Sequence, residues 1–156
     1  MIIENEVIQA AQNSHARFYP LGPFASISLA QYGVESAWGK YLSGKNNPFG
    51  IKATQAQIAK GEATERWTHE TINGVYQPMQ QFFANYDSIV DSFMAHAELL
   101  STSQYYWKAR LAITPDEYAM ALQGVYATGI PQHPYGVVLI SIMKENNLYQ
   151  YDLKMQ

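Results

Sequence analysis

"VESAWGKYLSGKNNPFGIKA", residues 34–53, joins the end of an apolar helical run to a loop of Lys45, Asn46 and Asn47, and it carries a glutamate, Glu35, within the apolar part. A carboxyl group among apolar neighbours is costly unless it is paired or has a chemical task. Pairing with Lys40 or Lys45 at the helix end is one solution, and proton donation is the other. Upstream, Phe24, Ile27, Val34 and Trp38 mark one helical face, Pro23 suits a first-turn position and Gly39 suits the end, so Glu35 falls in the last turn of a second helix.

On the N-terminal side, Val7, Ile8, Ala11 and Ala16 recur at helical spacing from Glu4 to about Phe18, and "YPLGP" ends that first helix. On the C-terminal side, residues 43–63 are rich in Gly, Asn, Lys and Gln and read as loop, with a short helix in "QAQIAKGEA". "TERWTHETINGVYQPMQQFF" reads as a β-hairpin, because Asn73-Gly74 accepts the positive φ angles of a two-residue turn. Pro78 makes its strand an edge or a bulged one. A helix is expected from about Ile89 to Ser101, capped by Asp87 or Ser88. "TPDEYAMALQG" is a capping box of Thr114 and Glu117 with Pro115 in the first position and Gly124 at the end, and a last helix runs from about Tyr135 to Asn146.

The chain has 156 residues, 47% hydrophobic and 15% charged, which suits one compact domain over 1–156 with no linker or repeat. A net charge of −3 gives no basic footprint, so nucleic acid is not an expected partner. With no cysteine, disulfides, thiol nucleophiles and cysteine metal sites are all excluded. No apolar stretch is long enough to span a bilayer, and "MIIENEVIQAAQNSHARF" lacks a basic leader with an apolar core, so the chain is expected to be made in the cytoplasm and to reach an outside substrate by another machine or by release, as a phage lysin does.

The candidate chemistry lies in two carboxyl groups, Glu35 and Glu70, the latter on the first hairpin strand. Two acids from different elements facing one cleft can protonate a glycosidic oxygen and handle water or an oxocarbenium ion on the other side. Apolar neighbours such as Trp38 and Val34 are expected to raise the pKa of Glu35, while a more exposed Glu70 stays ionised, giving an acid and a base or electrostatic stabiliser. Glu70 also reads, with Glu62 and Glu65, as a solvated strand glutamate. Aromatic residues, 13% of the chain, suit sugar faces or simply the core, and Tyr105, Tyr106 and Trp107 fit either role. "HETIN" begins like a zinc-protease motif, yet the second histidine position holds Asn73, and His15, His69, His96 and His133 have no ligand spacing. No metal or other cofactor is expected.

These residues carry a resemblance. "SLAQYGVESAWGKYLSGKNNPFGIKA" resembles the signature of the glucosaminidase domains of glycoside hydrolase family 73, where an "ALESGWGKS" segment holds the catalytic acid and "NNLFGIKA" follows. "THETINGVYQPMQQFFANYDS" resembles the family's hairpin, and "GVYATGIPQHPYGVVLISIM" its "GYATDPHYARKL" ending. The resemblance implies a lysozyme-like α+β fold, with a mainly helical lobe, a small β-hairpin lobe at about 62–84 and glycan between them. It puts Glu35 on the acid, Glu70 on the hairpin's second acidic residue and Tyr126 on the tyrosine that lines the cleft. Trp38, Asn46, Asn47, Phe49, Lys52 and Tyr135 fall on matched positions and are expected to contact substrate. The implied substrate is peptidoglycan, cut after N-acetylglucosamine by a monomer, with Glu70 positioning water or the substrate's own acetamido group attacking. A lytic transglycosylase or muramidase on the same scaffold is the nearest rival, and a non-catalytic wall-binding module is another. The chain departs from the family at Pro48, at Ala95 where an aspartate is common, and in the longer "ATGIPQHPY".

Overall fold

A computed structural model describes residues 2–153. Seven α-helices are present among these residues, with a long hairpin inserted between the third and fourth: α1 Asn5–Phe18, α2 Ala25–Ser36, α3 Gln55–Ala59, β1 Ala63–Ile72, β2 Val75–Ala84, α4 Ile89–Thr102, α5 Trp107–Arg110, α6 Pro115–Leu122 and α7 Tyr135–Glu145. A two-residue pair, β3 Gly129–Ile130 with β4 His133–Pro134, and 3-10 turns over Gln104–Tyr106 and Leu148–Tyr151 complete this α+β arrangement.

The centre of the helical part is α2. Every residue from Ala25 to Gly33 is buried, and α1, α6, α7 and the last 3-10 turn pack on it. Its small residues, Ala25, Ser26, Ser28, Ala30 and Gly33, permit that close approach on all sides, so the single apolar face expected from spacing is replaced by burial all round. Leu29, Phe93, Leu100, Leu122, Leu139 and Met143 fill the core around it. At its N-terminus the Asp152 carboxyl accepts from Ser26 N at 2.8 Å and Ser26 Oγ at 2.7 Å, placing an acid where helix N–H groups lack partners.

Both ends of α2 differ from the expected bounds. Phe24 is the cap residue and Pro23 precedes it, so the proline acts before the helix and not in its first turn. At the other end the helix stops at Ser36, because Ala37, Trp38 and Gly39 have φ of 50°, 62° and 84°. Ser36 Oγ accepts from Gly39 N at 2.8 Å, and Ser36 O accepts from Tyr41 N at 2.9 Å, which fixes this left-handed reversal. Two non-glycine residues in the left-handed region cost ~1–2 kcal/mol each. Trp38 is therefore off the helix, while Glu35 stays in its last turn.

The hairpin pairs without interruption from Ala63↔Ala84 to Ile72↔Val75, and Asn73 (φ 51°) and Gly74 (φ 81°) make the tight turn. Pro78 sits opposite His69 with no bulge; both strands of a two-stranded sheet are edges, which accommodates the missing donor. Register places Glu70 on one face with Gln77 and Gln81, and Trp67, His69 and Tyr76 on the other. Among the described residues, the hairpin is tied to the rest of the chain by hydrogen bonds at its base: Arg66 donates to Ser43 O (2.6 Å) and Leu42 O (3.1 Å), Thr64 Oγ1 to Asn85 Oδ1 (2.6 Å), and Ala84 N to Ile51 O (2.9 Å).

Helix α4 is capped by Ser88, which accepts from Asp91 N at 3.2 Å. Thr114 caps α6 by accepting from Glu117 N (3.2 Å), but Glu117 reaches back to Ile113 N (3.1 Å), one residue before the cap, so the box closes one position early. The β3–β4 pair lies within "ATGIPQHPY", the stretch longer than the family's, and its strands are too short to leave an alternating pattern.

Candidate active site

The reversal after α2 leaves Glu35 at the edge of the buried helix, and the hairpin register turns Glu70 toward the same side. The two share a cleft of about 650 Å³ with Phe49, Ile51, Lys52, Leu99, Tyr106 and Tyr126. Its floor comes from the 49–52 loop and one wall from α4 and the 3-10 turn after it. The hairpin supplies the Glu70 side.

Glu35 keeps solvent-accessible area along this opening, yet protein surrounds it closely enough that desolvation raises its pKa above the ordinary carboxylate value. Tyr135 donates to Glu35 Oε1 at 3.0 Å and works in the opposite direction, without reversing the shift. Water in the open cleft moderates the push but leaves its sign. Of the two apolar neighbours expected beside it, Trp38 lines a separate hollow with Ile3, Val7, Tyr32 and Ile89 and is not part of the cleft lining. Neither Lys40 nor Lys45 forms an ion pair with Glu35 within 4.0 Å among the described residues. Glu70 accepts from Gln81 Nε2 at 2.8 Å, a same-face partner from the opposite strand.

The two asparagines build the loop and do not face the cleft. Asn47 is fully buried; its Nδ2 donates to Ile51 O (2.8 Å) and Ala84 O (2.9 Å), and its Oδ1 accepts from Phe49 N (3.3 Å) and Ile51 N (3.2 Å). Nothing is left for a sugar. Asn46, at φ 51°, donates to Tyr86 O at 3.0 Å. Asn47 thus has a structural role where a substrate contact was expected, while Trp38 and Asn46 are half-buried outside the cleft lining.

Phe49 does line the cleft, backed by the His96 ring at 4.1 Å centroid separation, and Lys52 is exposed at its rim. Tyr126 donates to Phe49 O at 3.3 Å and stacks on Tyr135 with centroids 5.9 Å apart. Burial and the nearby Glu35 hold the Tyr126 phenol far above its usual pKa, so it stays a hydroxyl donor and acceptor. Tyr135 is buried beneath Glu35 and contacts it directly; it does not line the opening. Ala95 is half-buried on α4, also outside the cleft lining.

Sequence reasoning left one contributor open and missed three. Tyr106, which fitted a sugar face or the core, lines the cleft, unlike its exposed neighbours Tyr105 and Trp107. Gln81 holds Glu70. Gln31 and His96, both fully buried, join in a hydrogen bond of 2.7 Å, and Gln31 donates to Tyr135 at 3.0 Å. The signal for Gln31 was available: an amide four residues before Glu35 in an apolar helix lies on the same face.

Comparison with known proteins identifies the family and the fold. Residues 10–148 match the Glucosaminidase family, described as mannosyl-glycoprotein endo-beta-N-acetylglucosaminidase. An autolysin of Enterococcus faecalis is 33% identical over 141 residues, which are 83% of this chain and 18% of that protein. A probable N-acetylmuramidase of Lactococcus lactis is 32% identical over 142 residues, 84% of this chain and 31% of that protein. The catalytic domain of the autolysin Auto from Listeria monocytogenes has the same lysozyme-like α+β fold, with a TM-score of 0.78 at 28% identity over 95% of this chain and 84% of that one. The chain thus spans less than a third of the length of these two curated relatives.

Proposed function

We propose, because this chain belongs to the glucosaminidase family of glycoside hydrolases, that it hydrolyses the glycan strand of peptidoglycan as an endo-β-N-acetylglucosaminidase with Glu35 as the general acid. One observation carries the reading: Glu35 opens onto a cleft of about 650 Å³, opposite Glu70, in surroundings that favour its protonated form.

A group that must hold a proton until the substrate arrives and then release it works best with a pKa near the working pH. Glu35 gives its proton to the glycosidic oxygen as the bond to the anomeric carbon of N-acetylglucosamine breaks. The sugar then carries developing positive charge. Either Glu70, steadied by Gln81, directs water to that carbon, or the sugar's 2-acetamido oxygen attacks first and water opens the resulting ring. The Tyr126 hydroxyl, its hydrogen given to Phe49 O, is left as an acceptor for the acetamido N–H in the second route. The place of action is the cell wall, and the working unit is a monomer.

A relative described as a probable N-acetylmuramidase supports a second reading on the same scaffold, with cleavage on the other side of the repeat. The reducing end of the product separates the two. Purified peptidoglycan is digested with wild type and with Glu35→Gln, the products are reduced with borohydride, and the terminal sugar is identified by mass spectrometry. Reduced N-acetylglucosamine from wild type alone supports the glucosaminidase; reduced or anhydro N-acetylmuramic acid moves the assignment to a muramidase or lytic transglycosylase. Wall binding without new reducing ends marks a non-catalytic module.

A further inference from the structure

We propose that His96, Gln31 and Tyr135 form a one-way hydrogen-bond chain that holds Glu35 by Oε1 and so confines its transferable proton to Oε2. The three are positioning residues, drawn from α4, α2 and the start of α7, and none is needed by the mechanism above. The functional weight of the chain rests on Glu35 being the acid proposed there; its direction does not.

The direction follows from the buried end. His96 is fully buried, stacked on Phe49 and edged by Tyr126, and its Nδ1 has no hydrogen-bond partner. A neutral imidazole has one N–H. On Nδ1 that hydrogen would be a buried unsatisfied donor, so it belongs on Nε2, where Gln31 Oε1 lies 2.7 Å away. With its oxygen so engaged, Gln31 presents its NH2 group to Tyr135 Oη at 3.0 Å. Tyr135, accepting there, spends its single hydrogen on Glu35 Oε1 at 3.0 Å.

The reverse order is blocked. Were Glu35 to donate from Oε1, Tyr135 would have to turn its hydrogen toward Gln31, whose facing atom already carries hydrogens. Oε1 is therefore an acceptor in either charge state, and a neutral Glu35 carries its proton on Oε2. Desolvation keeps His96 neutral, its pKa pushed down to about 3, so the start of the chain does not titrate near neutrality. The titratable groups around Glu35 itself are Tyr135 beneath it and, in the cleft, Glu70, Lys52, Tyr106 and Tyr126.

The test reads the chain without turnover and then with it. In the full chain labelled at histidine nitrogens and glutamate carboxyl carbons, NMR should find His96 as the neutral Nε2–H tautomer from pH 5 to 8. The Glu35 titration should move upward in Tyr135→Phe, which loses the donor that holds it down. In that variant kcat should fall ~10- to 100-fold with KM changed little, the loss expected for one hydrogen bond to an ionisable group. An Nδ1–H tautomer, an unmoved or lowered Glu35 titration, or an unchanged kcat would each overturn the proposal. Should Tyr135→Phe fail to fold, the tautomer of wild-type His96 decides alone. A wild type that cuts no glycan would defeat the proposed function and leave the two NMR readings to judge the chain.

Discussion

The indole of Trp38 occupies the space that a side chain at Gly33 would need: a Cβ on Gly33 would stand 2.7 Å from Cζ2 of that ring. Trp38 in turn meets Tyr32 edge-on at 6.2 Å, so the residue after the helix folds back against its last turns and covers them. This contact explains why a tryptophan is held at φ 62°, and it fixes the backbone on both sides of Glu35.

Gly33→Ala sets two effects in opposition. Helix propensity favours alanine by ~1 kcal/mol, whereas overpacking against a ring costs ~1–3 kcal/mol. The ring cannot yield without leaving Tyr32, so overpacking should win. The variant is expected to lose up to ~2 kcal/mol in denaturant unfolding and to lose activity along with it. Gly33→Ala combined with Trp38→Leu should recover stability relative to the sum of the single changes, and strict additivity in that cycle would remove the contact from the explanation.

Much of this was open to reading along the chain, and the misses share a cause. The hairpin was legible because Asn73-Gly74 and the flanking strands are local signals, and Glu35 because an acid interrupts an apolar run. The end of α2 was not, since Ala37 and Trp38 adopt positive φ against their own preferences, in a reversal held by the Gly39 N bond to Ser36 Oγ and by the Trp38 ring folded back on Gly33 and Tyr32. Asn46 and Asn47 are expected at the substrate only through the family resemblance, and only the folded loop shows that Asn47 saturates its hydrogen bonds on backbone. His96 gave no cue in spacing, as its partner Gln31 lies 65 residues away.

Glu35→Gln keeps the shape and the bond from Tyr135 but has no proton to give. Hydrolysis should drop by at least ~100-fold, the low end for loss of a general acid, with the fold retained by circular dichroism. Turnover near wild type would eliminate Glu35 as the acid. Glu70→Gln separates the two routes for the sugar's positive charge: a loss within ~10-fold indicates acetamido assistance, and a loss equal to that of Glu35→Gln indicates that Glu70 handles water directly.

The raised pKa of Glu35 fixes the sense of the pH profile. An acid that must be protonated loses activity as pH rises through its folded-state pKa, so the basic limb of kcat should lie above the range of an ordinary glutamate. The partial desolvation of Glu35 works against the fold on that same side of the titration, since the charged form is the one disfavoured, and water in the cleft screens the effect. Coincidence of the kcat limb with the Glu35 carboxyl titration in NMR would support the assignment; a limb that stays in place in Glu35→Gln residual activity would assign it elsewhere.

His96 predicts an acid-sensitive fold. Its pKa falls from 6.5 to about 3 on folding, so the unfolded chain binds a proton that the folded one refuses. Stability is unaffected above the unfolded value and is lost as pH drops below 6.5 toward 3, at ~1.4 kcal/mol per pH unit. Thermal unfolding of wild type and His96→Gln between pH 7 and pH 4 checks this. The variant should be less stable at pH 7 yet show the shallower decline, and parallel declines would mean that other groups set the acid limit.

Lys52 carries the last prediction. It is exposed at the cleft rim and is the one basic side chain among the described residues lining that cleft, beside Glu35 and Glu70. Peptidoglycan brings carboxylates with it, on the lactyl group and the peptide stem, whereas a chitin oligosaccharide has none. A flexible, solvated ammonium at such a rim contributes ~0–1 kcal/mol and is screened by salt. Lys52→Gln should therefore raise KM for peptidoglycan fragments up to about fivefold at low ionic strength and much less at high, leave kcat nearly intact, and leave KM for the neutral oligosaccharide unchanged. An equal rise with both substrates would assign Lys52 to the sugar ring and not to the substrate's charge.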